Sequence, residues 1–239
     1  MSWIIGLLFL APFTGGLIAL GSGYKNEKIL TQFLAFAGGY IFSITLLHLL
    51  PEVFATHDNN IAIVVLAGFF FQVFVTRMSD GADHGHLHAH QHNHTMALPL
   101  GLFISMCLHS FTEGLPLGLM GTTQGINQPL SLGIALHEMP AAFALMSILQ
   151  SEHIQKKNVW ILLLVYACMA PAGMLISTAL IDYLPEYLFT RILAFVAGIF
   201  LYISTTILFE NSENHQFSGR KLMAIIAGVG MAILISVLL

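Results

Sequence analysis

Charge is what this chain has least of. Asp, Glu, Lys and Arg make up 8% of its 239 residues, against 56% apolar residues and a mean hydropathy of +0.82. That scarcity excludes a soluble globule, which would need far more polar surface to clothe a core of this size. Cysteine is scarce too. Cys107 and Cys168 both fall inside apolar runs, so they offer no disulfide framework. Met1 to Leu20 lacks the basic start of a cleaved leader and is followed at once by lysines and another apolar run, so it reads as a first membrane helix. The net charge of -4 says nothing by itself about partners, and no nucleic-acid partner is expected.

What is present is a succession of apolar runs near 3–21, 29–50, 60–77, 97–120, 129–149, 159–181, 188–209 and 221–239. A helix crosses the hydrocarbon core of a bilayer in roughly 20 residues. The chain is therefore expected to be an all-α multi-pass membrane protein of eight transmembrane helices, a single domain over 1–239. If the first run starts outside, the cytoplasmic loops hold Lys25, Lys28, Arg77, Lys156, Lys157, Arg220 and Lys221, and the opposite loops only Arg191. This excess of basic residues on one side puts both termini outside.

The chain also echoes itself. Leu34-Ala35-Phe36-Ala37-Gly38-Gly39 in the second run resembles Leu193-Ala194-Phe195-Val196-Ala197-Gly198 in the seventh, and at the same offset Ala11-Pro12 matches Ala170-Pro171. Helices one to three and six to eight then form two copies of one unit, a 3+2+3 arrangement in which an odd number of helices separates the copies and inverts the second. Inverted repeats are a transporter architecture with the site near the midplane, although small-residue packing motifs also recur in membrane bundles by chance.

The fourth and fifth helices, outside both copies, hold the ionisable groups that lie deep inside the apolar runs, and His48 joins them near the end of the second run. His109 and Glu113 are four residues apart and so project from one helical face. His137 and Glu138 sit on the return helix. Pro116 and Pro140 follow these pairs and free the carbonyls of Thr112 and Leu136. A charge at mid-bilayer depth costs on the order of 2.5 to 3.5 kcal/mol, so two carboxylates there need partners. One buried His–Glu pair could simply glue helices together. Two pairs at one depth, each beside a helix-breaking Pro, point instead to a cation. Imidazole and carboxylate suit Zn²⁺ and also Fe²⁺, Co²⁺, Mn²⁺ and Cd²⁺. A membrane metalloprotease is excluded, because His137-Glu138-Met139-Pro140-Ala141 has Ala141 where a second His would be required.

At these residues the chain resembles the ZIP family of divalent-metal transporters. The family's His-Asn-Phe-x-Glu-Gly appears as His109-Ser110-Phe111-Thr112-Glu113-Gly114, and its His-Glu-x-Pro-His-Glu as His137-Glu138-Met139-Pro140-Ala141-Ala142. Gly38-Gly39, His48-Leu49-Leu50-Pro51-Glu52 and Ala197 to Tyr202 are also similar to the family. The resemblance implies a two-metal site. His109, Glu113 and His137 match three ligands of the first position, whose fourth is Ala141 here. Glu138 and the weaker Ser110 match the second, where Ala141 and Ala170 replace ligands. One transported metal, held by His109, Glu113 and His137 and completed by water, is the expected arrangement.

Around this centre lie further candidates. His84, His86, His88, His90, His92 and His94 alternate along the 79–95 loop, which reads as a cytoplasmic chelator for captured or released metal, or else as an inert linker. His48 and Glu52 are candidate entrance residues, whereas His57 and Asp58 read as solvated loop residues. The expected function is transport of a divalent transition metal toward the cytoplasm by alternating access. Zinc is the first candidate, ahead of iron, manganese, cadmium and cobalt, and a membrane metal sensor is the alternative. The metal is cargo, no cofactor is expected and the protein is not read as an enzyme. Its partners are the ion and the lipid bilayer, a homodimer is left open, and the location is a plasma membrane, bacterial inner membrane first.

Overall fold

The computed structural model describes residues 2–22, 27–56, 58–78, 97–119, 124–151, 154–209 and 219–238. The six alternating loop histidines and His57 lie outside them. Every regular element among the described residues is helical: α1 (Ser2–Ser22), α2 (Glu27–Ile44), a π-helical turn (Thr45–Leu49), α3 (Leu50–Phe54), α4 (Ile61–Met78), α5 (Ala97–Leu119), α6 (Gln124–Ser151), α7 (Lys156–Ala167), α8 (Met169–Leu180), α9 (Glu186–Phe209) and α10 (Gly219–Leu238). Among them are seven segments long and apolar enough to cross a membrane, and a shorter apolar one, Ile61–Arg77. The chain is a multi-pass membrane protein.

Two of the expected rods are not simple helices. The second run continues past residue 50 to Phe54 through the π turn, because Pro51 has no N–H for the Leu47 carbonyl. The Leu50 N–H reaches back five residues, to the Thr45 carbonyl. The sixth run is divided into α7 and α8 at Cys168. Pro171 cannot bond to the Ala167 carbonyl and crowds it, and the Cys168 N–H is shared between the Leu164 and Val165 carbonyls at 3.2 Å each. Pro12, its counterpart in the first run, leaves α1 unbroken.

The helices pack in two groups. In one, α1 lies along α6 and α5 along α8, with α7 bridging to α1 and α6; in the other, α2 lies along α10 and α4 along α9. Contacts of α2 with α6 and of α5 with α9 join the groups. Tyr40 of α2 is fully buried at that junction and donates its hydroxyl to the Pro129 carbonyl of α6 at 2.9 Å. One apolar core runs through α2, α6 and α9 around Ile41, Ile134 and Phe200, and a smaller one through α1, α5, α6 and α7 around Ala19, Met106, Leu145 and Tyr166.

The α5–α8 pair makes the closest approach relevant to function. A Cβ on Gly114 would meet the Ala170 carbonyl, and one on Gly173 the Phe111 carbonyl. Lipid tails supply no hydrophobic force between membrane helices, so direct backbone contact of this kind is a main source of their cohesion. It fixes α5 against α8 one residue beyond Glu113.

In the loop between α3 and α4, Asp58 accepts a hydrogen bond from Arg191 Nε of α9 at 2.8 Å and one from the Asn60 N–H at 3.0 Å. Arg191 and then the Asn60 N–H hold its carboxyl below the ordinary carboxylate value. A group held low in the folded state adds stability above its unfolded pKa, about 3.9 for Asp, and loses it as the pH falls through the folded value. The pair is half-exposed at the membrane-flanking surface and screened by solvent, so its contribution is small. Asp58→Asn should lower the melting temperature slightly at pH 7, with the difference from wild type shrinking once the pH is taken below about 4. Thermal melts across that range check it.

Candidate metal centre

α5 presents His109 and Glu113 on one face, and α6 brings His137 against them. The His109 Nε2 lies 3.3 Å from Glu113 Oε1 and 3.3 Å from the His137 Nε2. The two imidazole rings meet edge to face, with centroids 5.5 Å apart and planes at 79°. One ligand atom from each of the three residues lies within 4.8 Å of the others, and all three side chains are wholly buried. Thr112 anchors its hydroxyl on the His109 carbonyl at 2.8 Å.

These separations suit a small cation. A tetrahedral Zn²⁺ with bonds of about 2.0–2.1 Å sets its ligand atoms about 3.3 Å apart, the spacing seen here between the two Nε2 atoms. Three protein ligands leave a fourth position for water. Ala141 is buried in the smaller core and offers no polar side-chain atom.

Glu138 follows His137 but does not share the cluster of three. Its carboxyl faces Tyr166, Glu113 and Ser110. Neither of its oxygens closes a hydrogen bond, and nor does the buried Ser110 hydroxyl. His48 and Glu52 are not brought to the cluster either. His48 sits in the π turn with Nε2 2.6 Å from Ser236 Oγ of α10, and Glu52 is exposed on α3. The residue that sequence reasoning passes over is Tyr166 of α7. It is fully buried and turned toward Glu138. The signal was a tyrosine deep in an apolar run, where a buried phenol needs a partner.

Residues 75–236 match the ZIP zinc transporter family. The chain belongs to that family. Among curated ZIP relatives, zinc transporter ZIP9 of Xenopus tropicalis is 29% identical over 170 residues, covering 64% of this chain and 55% of the relative. Zinc transporter ZIP9-A of Xenopus laevis is 30% identical over 163 residues, covering 62% and 53%. Zinc transporter ZIP1 of Bos taurus is 27% identical over 225 residues, covering 75% and 69%. The matched stretch thus spans about half the length of the two ZIP9 relatives. Both helices of the buried cluster lie inside the part of the chain that defines it as ZIP.

Proposed function

We propose that this protein is a divalent-metal carrier, zinc first among its cargoes, that moves the ion toward the cytoplasm through a single intramembrane site formed by His109, Glu113 and His137. Glu138 and Ser110 stand beside that site. The observation that carries the reading is the wholly buried cluster of two imidazoles and a carboxylate between two spans of a ZIP family member. A buried carboxylate of this kind is costly without a cation or proton, which makes ion passage the economical explanation. Membership of a zinc transporter family and zinc transporters among the relatives support the choice of metal. Iron, manganese, cadmium and cobalt remain further candidates because the ligands accept them.

Alternating access has support in the packing. α1, α5, α6, α7 and α8 hold the site and pack chiefly on one another, and α2, α4, α9 and α10 do the same. The first group would carry the metal while the second serves as a frame. The inverted repeat is supported by paired close approaches: Gly39 of α2 meets α10 and Gly198 of α9 meets α4, at the two positions that the repeat aligns. In this reading both termini face outside at a plasma membrane, the 79–95 loop buffers metal in the cytoplasm, and His48 and Glu52 flank the outer entrance. A homodimer is compatible with it.

Uptake of radioactive zinc into proteoliposomes tests the proposal. Saturable uptake by the wild-type protein, abolished in His109→Ala and competed by Cd²⁺, Fe²⁺ or Mn²⁺ in order of preference, is the expected result. Zinc bound without flux in a correctly inserted protein would overturn transport in favour of a membrane sensor.

A further inference from the structure

We propose that Tyr166 is a positioning residue of the metal centre: its phenol, buried beside the Glu138 carboxylate, is the donor that orients that carboxylate toward Ser110 and Glu113 when the centre is loaded. The inference rests on the reading of His109, Glu113 and His137 as a metal site. It starts from Glu138, which is 1% exposed inside a span and so has lost the water that would satisfy its two oxygens.

The surroundings of Glu138 offer few donors. The Ser110 hydroxyl can give one hydrogen bond, Glu113 is an acceptor when ionised, and the nearby Cys107 thiol is a weak donor. Ala141 and Ala142, the next residues on the same side of α6, and Ala170 on α8, carry no polar side-chain atom. The Tyr166 phenol is the strong neutral donor that comes from outside α5 and α6. It is 0% exposed and faces Glu138, and its hydroxyl and both Glu138 oxygens are buried with no hydrogen bond closed, a donor and an acceptor left to satisfy each other. A phenol buried for packing alone would leave its hydroxyl unpaired at full desolvation cost, which phenylalanine would avoid.

The arrangement also has a rigid base. The Tyr166 ring belongs to the packed cluster of Met106, Ala141, Ala142 and Leu145. It stands two residues before Cys168, where α7 gives way to α8, and α8 is locked on α5 through Gly173 and Gly114. The phenol therefore reports the position of the α7–α8 junction to the carboxylate next to His137. Direct partners of a metal ligand are worth about 10- to 100-fold in metal affinity, and Tyr166, which acts one step further out through Glu138, should reach only the lower end of that range.

The test is a double-mutant cycle on full-length protein. Zinc affinity is measured in detergent by competition with a chromophoric chelator, with zinc bound by His109→Ala subtracted to remove the loop histidines, and uptake is followed in parallel in proteoliposomes. Tyr166→Phe should weaken zinc binding about tenfold, and in a Glu138→Gln background it should have almost no further effect. A role in packing alone would lower the melting temperature and persist in that background. Wild-type affinity in Tyr166→Phe, or an equal loss with and without Glu138, overturns the assignment. Should wild-type protein bind zinc but fail to move it, the transport proposal falls while the binding cycle still decides on Tyr166. Absence of wild-type binding above the His109→Ala level overturns both.

Discussion

Replacing His137 with Ala should lower zinc affinity and zinc uptake by at least two orders of magnitude. The residue closes the cluster from the α6 side, with its Nε2 3.3 Å from that of His109. In the proposed site, its loss leaves the α5 pair alone to face the ion, two protein ligands of three. Second-sphere partners are already worth about 10- to 100-fold, so a direct ligand should lie above that range. Glu113→Gln should be comparably severe, since it removes the negative charge of the cluster while keeping its shape. Breaking a buried pair by deleting one partner costs about 3–5 kcal/mol, a factor of more than a hundred. Chelator competition on purified protein and initial rates of uptake check both substitutions. A loss below tenfold in each would mean that the metal is held elsewhere.

The second large effect concerns folding rather than ligation. Gly173→Leu and Gly114→Leu should each greatly reduce the yield of folded, inserted protein, and Gly173→Ala should lower the melting temperature in detergent by several degrees. At both positions the atom in the way is a backbone carbonyl, Phe111 in one case and Ala170 in the other, which cannot rotate aside as a side chain would. Overpacking commonly costs about 1–3 kcal/mol where side chains can adjust, and more is expected where they cannot. Because the contact lies one residue beyond Glu113, a surviving Ala variant should also bind zinc more weakly. Wild-type melting and binding in Gly173→Ala would show that the two helices do not need this approach.

Much of the architecture can be read from the sequence, and the exceptions have physical causes. Hydropathy marks the spans because a bilayer demands long apolar helices whatever their packing. The proximity of His109 to Glu113 follows from helical periodicity alone. That of His137 is only suggested by its depth in the return span and needs the fold to establish it. The division at Cys168 and the π turn at Thr45–Leu49 are not legible in the same way. Pro12, Pro51 and Pro171 all remove a helical donor, yet α1 continues, the second span loosens into a π turn and the sixth breaks. Tertiary packing decides between those outcomes. Tyr166 escapes notice for a related reason: an aromatic residue in an apolar run looks like filling until the fold turns its hydroxyl toward a carboxylate.

The length of α4 bears on the membrane itself. Its 18 residues give an apolar rod of about 27 Å, against a hydrocarbon thickness of about 30 Å. Its neighbour α9 has 24 residues and reaches about 36 Å. Ile63, Leu66, Phe70 and Phe74 form an exposed stripe down α4, the surface that acyl chains would touch. Lipid along this flank must compress to match the shorter wall, and that deformation costs fractions of a kcal/mol per Å of mismatch. The protein should therefore sit most comfortably in thin bilayers of short or unsaturated chains, and membrane thickness becomes a variable acting on the α4–α9 flank of the bundle that encloses His109, Glu113 and His137.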